Sequence, residues 1–248
     1  MAMATGDSSG GVTVFPSAHI SPDHINRIRN RIDKGNYDVV AIELDPNRFD
    51  RAVEGRPPSP QDILESVQGP QAVVYAVMAS IQQLNAMRVG IEPGMNDMRA
   101  GIEAAAENST QVALIDRDIN ETISRFMEQM DISTIIDQLF NIDPELSKDL
   151  REINVMDFDE LTSKESAEKF VDVMRRAFPE FTEVFIDERD QYMAERLDSL
   201  RRDGNDVFAV VGAGHSPGLQ KRLEKLGNQQ DGADVDVVLK TVRAVDGK

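Results

Sequence analysis

Val12-Thr-Val-Phe15 is a short apolar run closed by Pro16, and Ile25, Ile28 and Ile32 follow at helical spacing behind Ser21-Pro22. A hydroxyl side chain followed by proline is an N-cap and first-turn pair, so the spacing predicts a helix over about 22–34, stopped by Gly35-Asn36. The run 38–44 (Asp-Val-Val-Ala-Ile-Glu-Leu) is almost continuously apolar and predicts a strand buried on both faces, as in a parallel sheet. The rhythm returns twice. A helix over about 94–107 leads into a strand at 111–115, and a helix over about 180–202 leads into a strand at 207–211. Ser216-Pro217 then caps a helix to about 226, and 235–242 alternates like an edge strand. Between about 58 and 90, and between 118 and 178, the signals are helical; the second stretch carries Phe126, Met127, Met130, Ile132, Ile135 and Ile136. It reads either as a cap over the sheet or as helices beside it. The pattern predicts an α/β fold: a central, mostly parallel sheet flanked by helices, with a helical insertion at about 118–178. One domain over 11–245 is expected behind a disordered lead-in at 1–10.

Charge narrows the partners. With 27 Lys+Arg against 44 Asp+Glu the net charge is −17, and the 19 Arg and 8 Lys form no basic block. That surface repels nucleic acid and gives an anionic membrane nothing to hold. Asp outnumbers Glu by 26 to 18, and so densely carboxylated a surface suits a salt-rich cytoplasm, where repulsion is screened. The start MAMATGDSSGG has no apolar signal segment, and no run approaches the ~18 apolar residues of a membrane span, so a cytoplasmic location without a span is expected. Without cysteine, disulfides, thiolate metal sites and a Cys nucleophile are excluded.

The candidate chemistry gathers at strand ends. Of three histidines, His19 follows the strand at 12–15 and His215 the strand at 207–211. In an open parallel sheet the carboxyl ends form the ligand crevice, so the two can meet although 196 positions apart. Glu43 near the end of run 38–44 and Asp116 after run 111–115 belong at the same edge. A carboxylate in an apolar run needs a cation, either a metal or an arginine such as Arg48 or Arg189. On the helix at 180–202, Phe185, Arg189, Tyr192, Met193, Arg196 and Leu200 share a face, so Arg189 points toward the sheet or snorkels to solvent. Gly212 and Gly214 let backbone approach a ligand before His215, but the spacing G-x-G-x-x-x-G is not that of a dinucleotide loop. His24 reads as solvated, opposite the isoleucine face.

Six segments together resemble the TraB/PrgY pheromone-shutdown family: Phe15 to Ser21, Val40 to Phe49, Pro93 to Arg99, Leu114 to Ile119 with Arg117, Asp187 to Met193, and Val211 to His215. They run in the family's order over about residues 11–226. The family is similar to Tiki and GumN proteins and to erythromycin-esterase and ChaN-like folds, and this chain resembles an acidic, haloarchaeal-type member. The resemblance implies a metal-dependent, peptidase-like site of two G-x-x-H motifs and a glutamate, here His19, His215 and Glu43. Pro16 stands where the first motif has Gly, so that position supplies no N–H to an oxyanion. The Arg-Asn pair of the Tiki relatives corresponds to Arg189-Asp190. Longer archaeal members add C-terminal spans, so this chain resembles a soluble portion or a short member, membrane-associated only if the natural protein is longer.

Two imidazoles and a carboxylate suit Mn²⁺, Co²⁺, Zn²⁺ or Fe²⁺ and leave positions open for water and a substrate carbonyl. Arg189 then orients Glu43 or steadies an oxyanion, and Asp190 or Asp116 assists as a base. Two other readings stay open: a protein that captures a peptide signal without cutting it, and a metal-free esterase-like hydrolase. The Met-rich stretch 126–140 serves as core or as a homodimer surface.

Overall fold

A computed structural model of the chain describes residues 10–17, 22–54, 96–129, 134, 143–155, 160, 162–228 and 235–243. In chain order the elements are β1 (Val12–Ser17), α1 (Pro22–Lys34), β2 (Val39–Ile42), α2 (Pro46–Glu54), α3 (Asn96–Glu107), β3 (Gln111–Leu114), α4 (Ile119–Gln129) and α5 (Pro144–Val155). There follow α6 (Lys164–Ala177), α7 (Pro179–Thr182), a π-helical segment (Glu183–Asp187), α8 (Glu188–Arg202), β4 (Val207–Gly212), α9 (Ser216–Gly227) and β5 (Val238–Lys240). The strands form one sheet in the order β1-β4-β2-β3-β5. The first four are parallel and β5 pairs antiparallel with β3. The chain therefore has the expected α/β architecture.

Both faces of the sheet are covered, which is why the central strands read as unbroken apolar runs. Val40, Ile42, Val112, Leu114, Phe208 and Val210 pack on the side of α1, α2 and α3. Their neighbours along each strand point the other way, to Met193, Ala194 and Leu197 of α8 and Leu219 of α9. Ala113, Ala41 and Ala209 stand in one row across three strands, so α8 can lie close to the sheet. A tight turn at 203–206 joins the end of α8 to the start of β4, and the first turn of α8 is thereby carried to the carboxyl edge of the strands.

Several boundaries differ from the sequence pattern. β1 runs on through Pro16 to Ser17, because an edge strand tolerates a residue without an N–H. β2 stops at Ile42: Leu44 N–H turns back onto the Ile42 carbonyl at 2.7 Å, so Glu43 sits just beyond the strand. The last strand shrinks to three residues. Position N-cap of α9 belongs to His215, with Ser216-Pro217 inside the first turn. His24 is 1% exposed, not solvated: 24, 28 and 32 are successive turns of one face, and its ring meets Phe15 edge-on at 5.9 Å. Ser21 and the helical region at about 58–90 lie outside the described residues, as does most of 126–140.

Within the insertion, α4 packs Ile123 and Phe126 on Val184 and Phe185, while α5 and α6 bury Leu146, Ile153, Val173 and Ala177 together. Among the described residues no helix is long and apolar enough to cross a membrane.

Candidate functional site

The helices after β1 and β2 cover one face of the sheet and the helix after β4, which lies between those strands, covers the other. Connections that part to opposite faces leave a crevice at the carboxyl end of the strand. Glu43 arrives there one residue past β2, Asp116 two past β3 and His215 three past β4; Arg189 and Asp190 come from the first turn of α8.

Arg189 is the hub. Its Nη2 donates to Glu43 Oε1 at 2.6 Å and to Asp116 Oδ2 at 2.5 Å, and its Nε donates to Asp116 Oδ1 at 2.9 Å. Its Nη1 donates to the Phe185 carbonyl at 3.1 Å and to His215 Nε2 at 3.0 Å. The π-helical segment just before it presents backbone carbonyls to side-chain donors: Val184 O takes Arg117 Nη2 at 3.1 Å as Phe185 O takes Arg189. At 8% exposure Arg189 does not snorkel. Burial alone would weaken its charge, but the Asp116 and Glu43 carboxylates outweigh that and hold it protonated. Burial likewise opposes the charge on Asp116, yet Arg189 and then Arg48 hold its carboxyl far below the usual range.

A guanidinium has donors only, so the Arg189 contact makes His215 Nε2 an acceptor and leaves the ring proton on Nδ1. That proton is donated to Asp190 Oδ1 at 2.7 Å. Burial raises the Asp190 carboxyl above its ordinary range, against the pull of His215. Glu43 Oε2 accepts the Gly212 N–H at 2.6 Å, which fixes its other oxygen toward the imidazole. Glu43 Oε1 and His215 Nε2 stand 3.4 Å apart.

That spacing allows a test of fit. Two donors about 2.0–2.2 Å from one tetrahedral cation lie roughly 3.3 Å apart, which Glu43 Oε1 and His215 Nε2 match. The Nδ1–H to carboxylate bond is also what holds a ligating imidazole in register. The distance matches two donors of one ion, but the single lone pair of Nε2 already accepts from Arg189, so the pair can hold a cation only once Arg189 gives up that contact. His19, the expected third donor, lies outside the described residues, and no group of three or more His, Asp or Glu that could hold a metal stands out among the described ones. Glu43, Arg189 and His215 keep 7–8% exposure, whereas Asp190 keeps 1%.

Arg48, from the first turn of α2, bonds Asp45 Oδ2 at 2.6 Å and shares Asp116 with Arg189. Arg117, just past β3, ties α4 to α8 through Thr122 at 3.0 Å and Glu188 at 2.7 Å. Gly214 lies against Phe170, with ordinary room for a Cβ. Hydrogen bonds from Arg125, and then from Arg117, pull the Glu188 carboxyl down to about 2 from its ordinary 4.5. A carboxyl lowered on folding stabilises the protein above its ordinary pKa and loses that contribution as pH falls through the folded value. Unfolding midpoints should thus fall as pH drops from about 4.5 toward about 2, with a shallower slope in Glu188→Gln.

The family model for TraB/PrgY/gumN matches residues 2–232. The chain belongs to the TraB/PrgY/gumN family. It is also 34% identical over 233 residues to the uncharacterized protein MJ1365 of Methanocaldococcus jannaschii, covering 92% of this chain and 56% of that protein. The chain thus spans little more than half the length of that relative.

Two residues around this centre, Asp45 and Arg222, are not singled out by the sequence pattern, nor is the contact made by Gly218, the last glycine of the G-x-G-x-x-x-G loop. Asp45 is fully buried and caps α2 through Arg48 N at 2.9 Å, a role signalled by Asp before Pro46. Arg222, one turn beyond Gly218 on α9, reaches Asp187 Oδ1 at 3.4 Å and Asp190 Oδ2 at 3.5 Å. Gly218 lies against Asp190, and a contact between two helices leaves no local signal.

Proposed function

We propose that this TraB/PrgY/gumN protein is a hydrolase of peptides, with Glu43, His215 and His19 holding a divalent ion, Mn²⁺, Co²⁺ or Zn²⁺. The observation that carries it is the approach of Glu43 Oε1 to His215 Nε2 at 3.4 Å, with the imidazole proton held on the far side by Asp190. Such an ion supplies Lewis-acid polarisation of a carbonyl and acidification of water. The protein's own groups do the positioning. Gly212 N–H and Arg189 fix the two oxygens of Glu43, and Asp190 fixes the ring of His215. Arg189, desolvated and held protonated, offers positive charge where a carbonyl oxygen gains negative charge in amide hydrolysis.

One observation favours a second reading, metal-free hydrolysis. Arg189 already donates to both Glu43 Oε1 and His215 Nε2, so a fixed cation stands where a metal would supply one. In that reading His215 Nε2, released by Arg189 Nη1, takes a proton from water as the water oxygen bonds to the carbonyl carbon, Asp190 keeps accepting the Nδ1–H hydrogen bond, and the proton then passes from Nε2 to the leaving nitrogen as the C–N bond breaks.

Chelation separates the two. Chelator-treated protein incubated with a mixed peptide pool should lose turnover and regain it with Mn²⁺, Co²⁺ or Zn²⁺. Turnover unchanged by chelator supports the second reading, and intact peptides throughout overturn both in favour of capture without cleavage.

A further inference from the structure

We propose that Gly218 is a positioning residue of this site: its missing side chain seats Asp190, and through Asp190 it sets the His215 imidazole. This deepens the hydrolytic reading above and rests on it for its kinetic test.

His215 is the N-cap residue of α9 and Gly218 comes three positions later, so both face the first turn of α8 across one helical turn. Asp190 is gripped between them. Its Oδ1 accepts the His215 Nδ1–H at 2.7 Å, and its Oδ2 lies on the Gly218 side. A Cβ built on Gly218 would fall 1.9 Å from Asp190 Oδ2 and 3.0 Å from its Cγ. Real Cβ atoms do not approach so near, and the obstacle is a short carboxylate that is 1% exposed, not the loose end of a long chain. The Arg222 guanidinium, 3.0 Å from the same point, can swing aside. Asp190 therefore has to turn or withdraw, and either movement breaks its bond to Nδ1.

Glycine is also a poor choice for its own helix. Inside a helix it is unfavourable relative to alanine because it loses more backbone freedom on folding. Its φ is not in the left-handed region, where glycine would be required, since Gly204 is the glycine of positive φ among the described residues. The backbone at 218 thus gives no reason for glycine, and the carboxylate packed on it does.

Consequences for His215 follow in order. Without its Asp190 partner the Nδ1–H tautomer loses the bond that selects it, and Nε2 is no longer held as the lone-pair nitrogen beside Glu43. Gly218 touches neither substrate nor any reacting atom in this scheme; it acts through Asp190.

The test is a double-mutant cycle on the full chain with Gly218→Ala, Asp190→Ala and the combined variant, read by kcat/KM on the peptide pool and by nitrogen-15 imidazole NMR. With three histidines in the sequence, the His215 signals are identified by their loss in His215→Ala. Each single variant should lower kcat/KM by ~10²-fold or more, and the combined variant should be no worse than Asp190→Ala alone. Losses that multiply would overturn the proposal. In the NMR spectrum the Nδ1–H signal bonded to Asp190 should be present in the parent protein and absent in Gly218→Ala. Its persistence in that variant, or its absence from the parent, overturns the proposal even if the parent cleaves no peptide, whereas its loss in Gly218→Ala alongside a parent without turnover counts against the hydrolytic reading only. If Gly218→Ala alone does not fold, the combined variant should fold again, because shortening residue 190 frees the space. Failure of both to fold would place the cause elsewhere.

Discussion

Arg189→Ala should destabilise the protein by about 3–5 kcal/mol, read as a lower denaturant midpoint at unchanged slope. The size comes from what is left behind. Glu43 and Asp116 are 7% and 4% exposed, and both depend on the same guanidinium. Asp116 keeps Arg48 as a partner, whereas Glu43 loses the Arg189 guanidinium and keeps the Gly212 N–H. A buried carboxylate without a cation takes up a proton or draws in water, and both cost free energy. Arg189→Met combined with Glu43→Gln and Asp116→Asn should recover part of the loss, since neutral groups of similar size remove the unpaired charges. A loss in Arg189→Ala below about 1 kcal/mol, typical of surface pairs, would show that solvent reaches the cluster.

The second large effect is catalytic. His215→Ala and Asp190→Asn should each lower kcat by ~10²–10⁴-fold while leaving most of the fold intact, measured by peptide turnover beside thermal melts. For Asp190→Asn the reason is proton placement. The carboxylate accepts Nδ1–H and forces Nε2 to be the lone-pair nitrogen; an amide at the same place can donate to Nδ1 and move the proton to Nε2. Nε2–H would then confront the Arg189 donors, and the ring would turn away from Glu43. Equal turnover in Asp190→Asn and the parent would mean that the His215–Asp190 bond is structural alone.

Much of this arrangement is legible in the sequence for definable reasons. A carboxylate at 43 within an apolar run has few explanations other than a cation at a strand end, and the helical wheel points Arg189 at the sheet beside Phe185 and Met193. The α/β class follows from buried runs alternating with helices. The strand order does not: nothing in periodicity says that β4 enters between β1 and β2, which is what brings His215 beside Glu43. The π-helical segment at Glu183–Asp187 also has no signature in residue type, because it is a change of hydrogen-bond partner. His24 was misplaced for a plainer reason. Counting Ile25 into the buried face turns the helix by about 100°, whereas the buried row is 24, 28 and 32. The seat of Asp190 on Gly218 is tertiary packing between α8 and α9 and leaves no trace within either segment.

The central claim is that Glu43 and His215 form one hydrolytic centre for peptides. Mass spectrometry of a defined peptide mixture after incubation with parent protein, Glu43→Gln and His215→Ala tests it most directly. The account predicts fragments bearing new termini with the parent protein and intact peptides with both variants. Intact peptides with the parent protein, or the same fragments at the same rate with either variant, would contradict it.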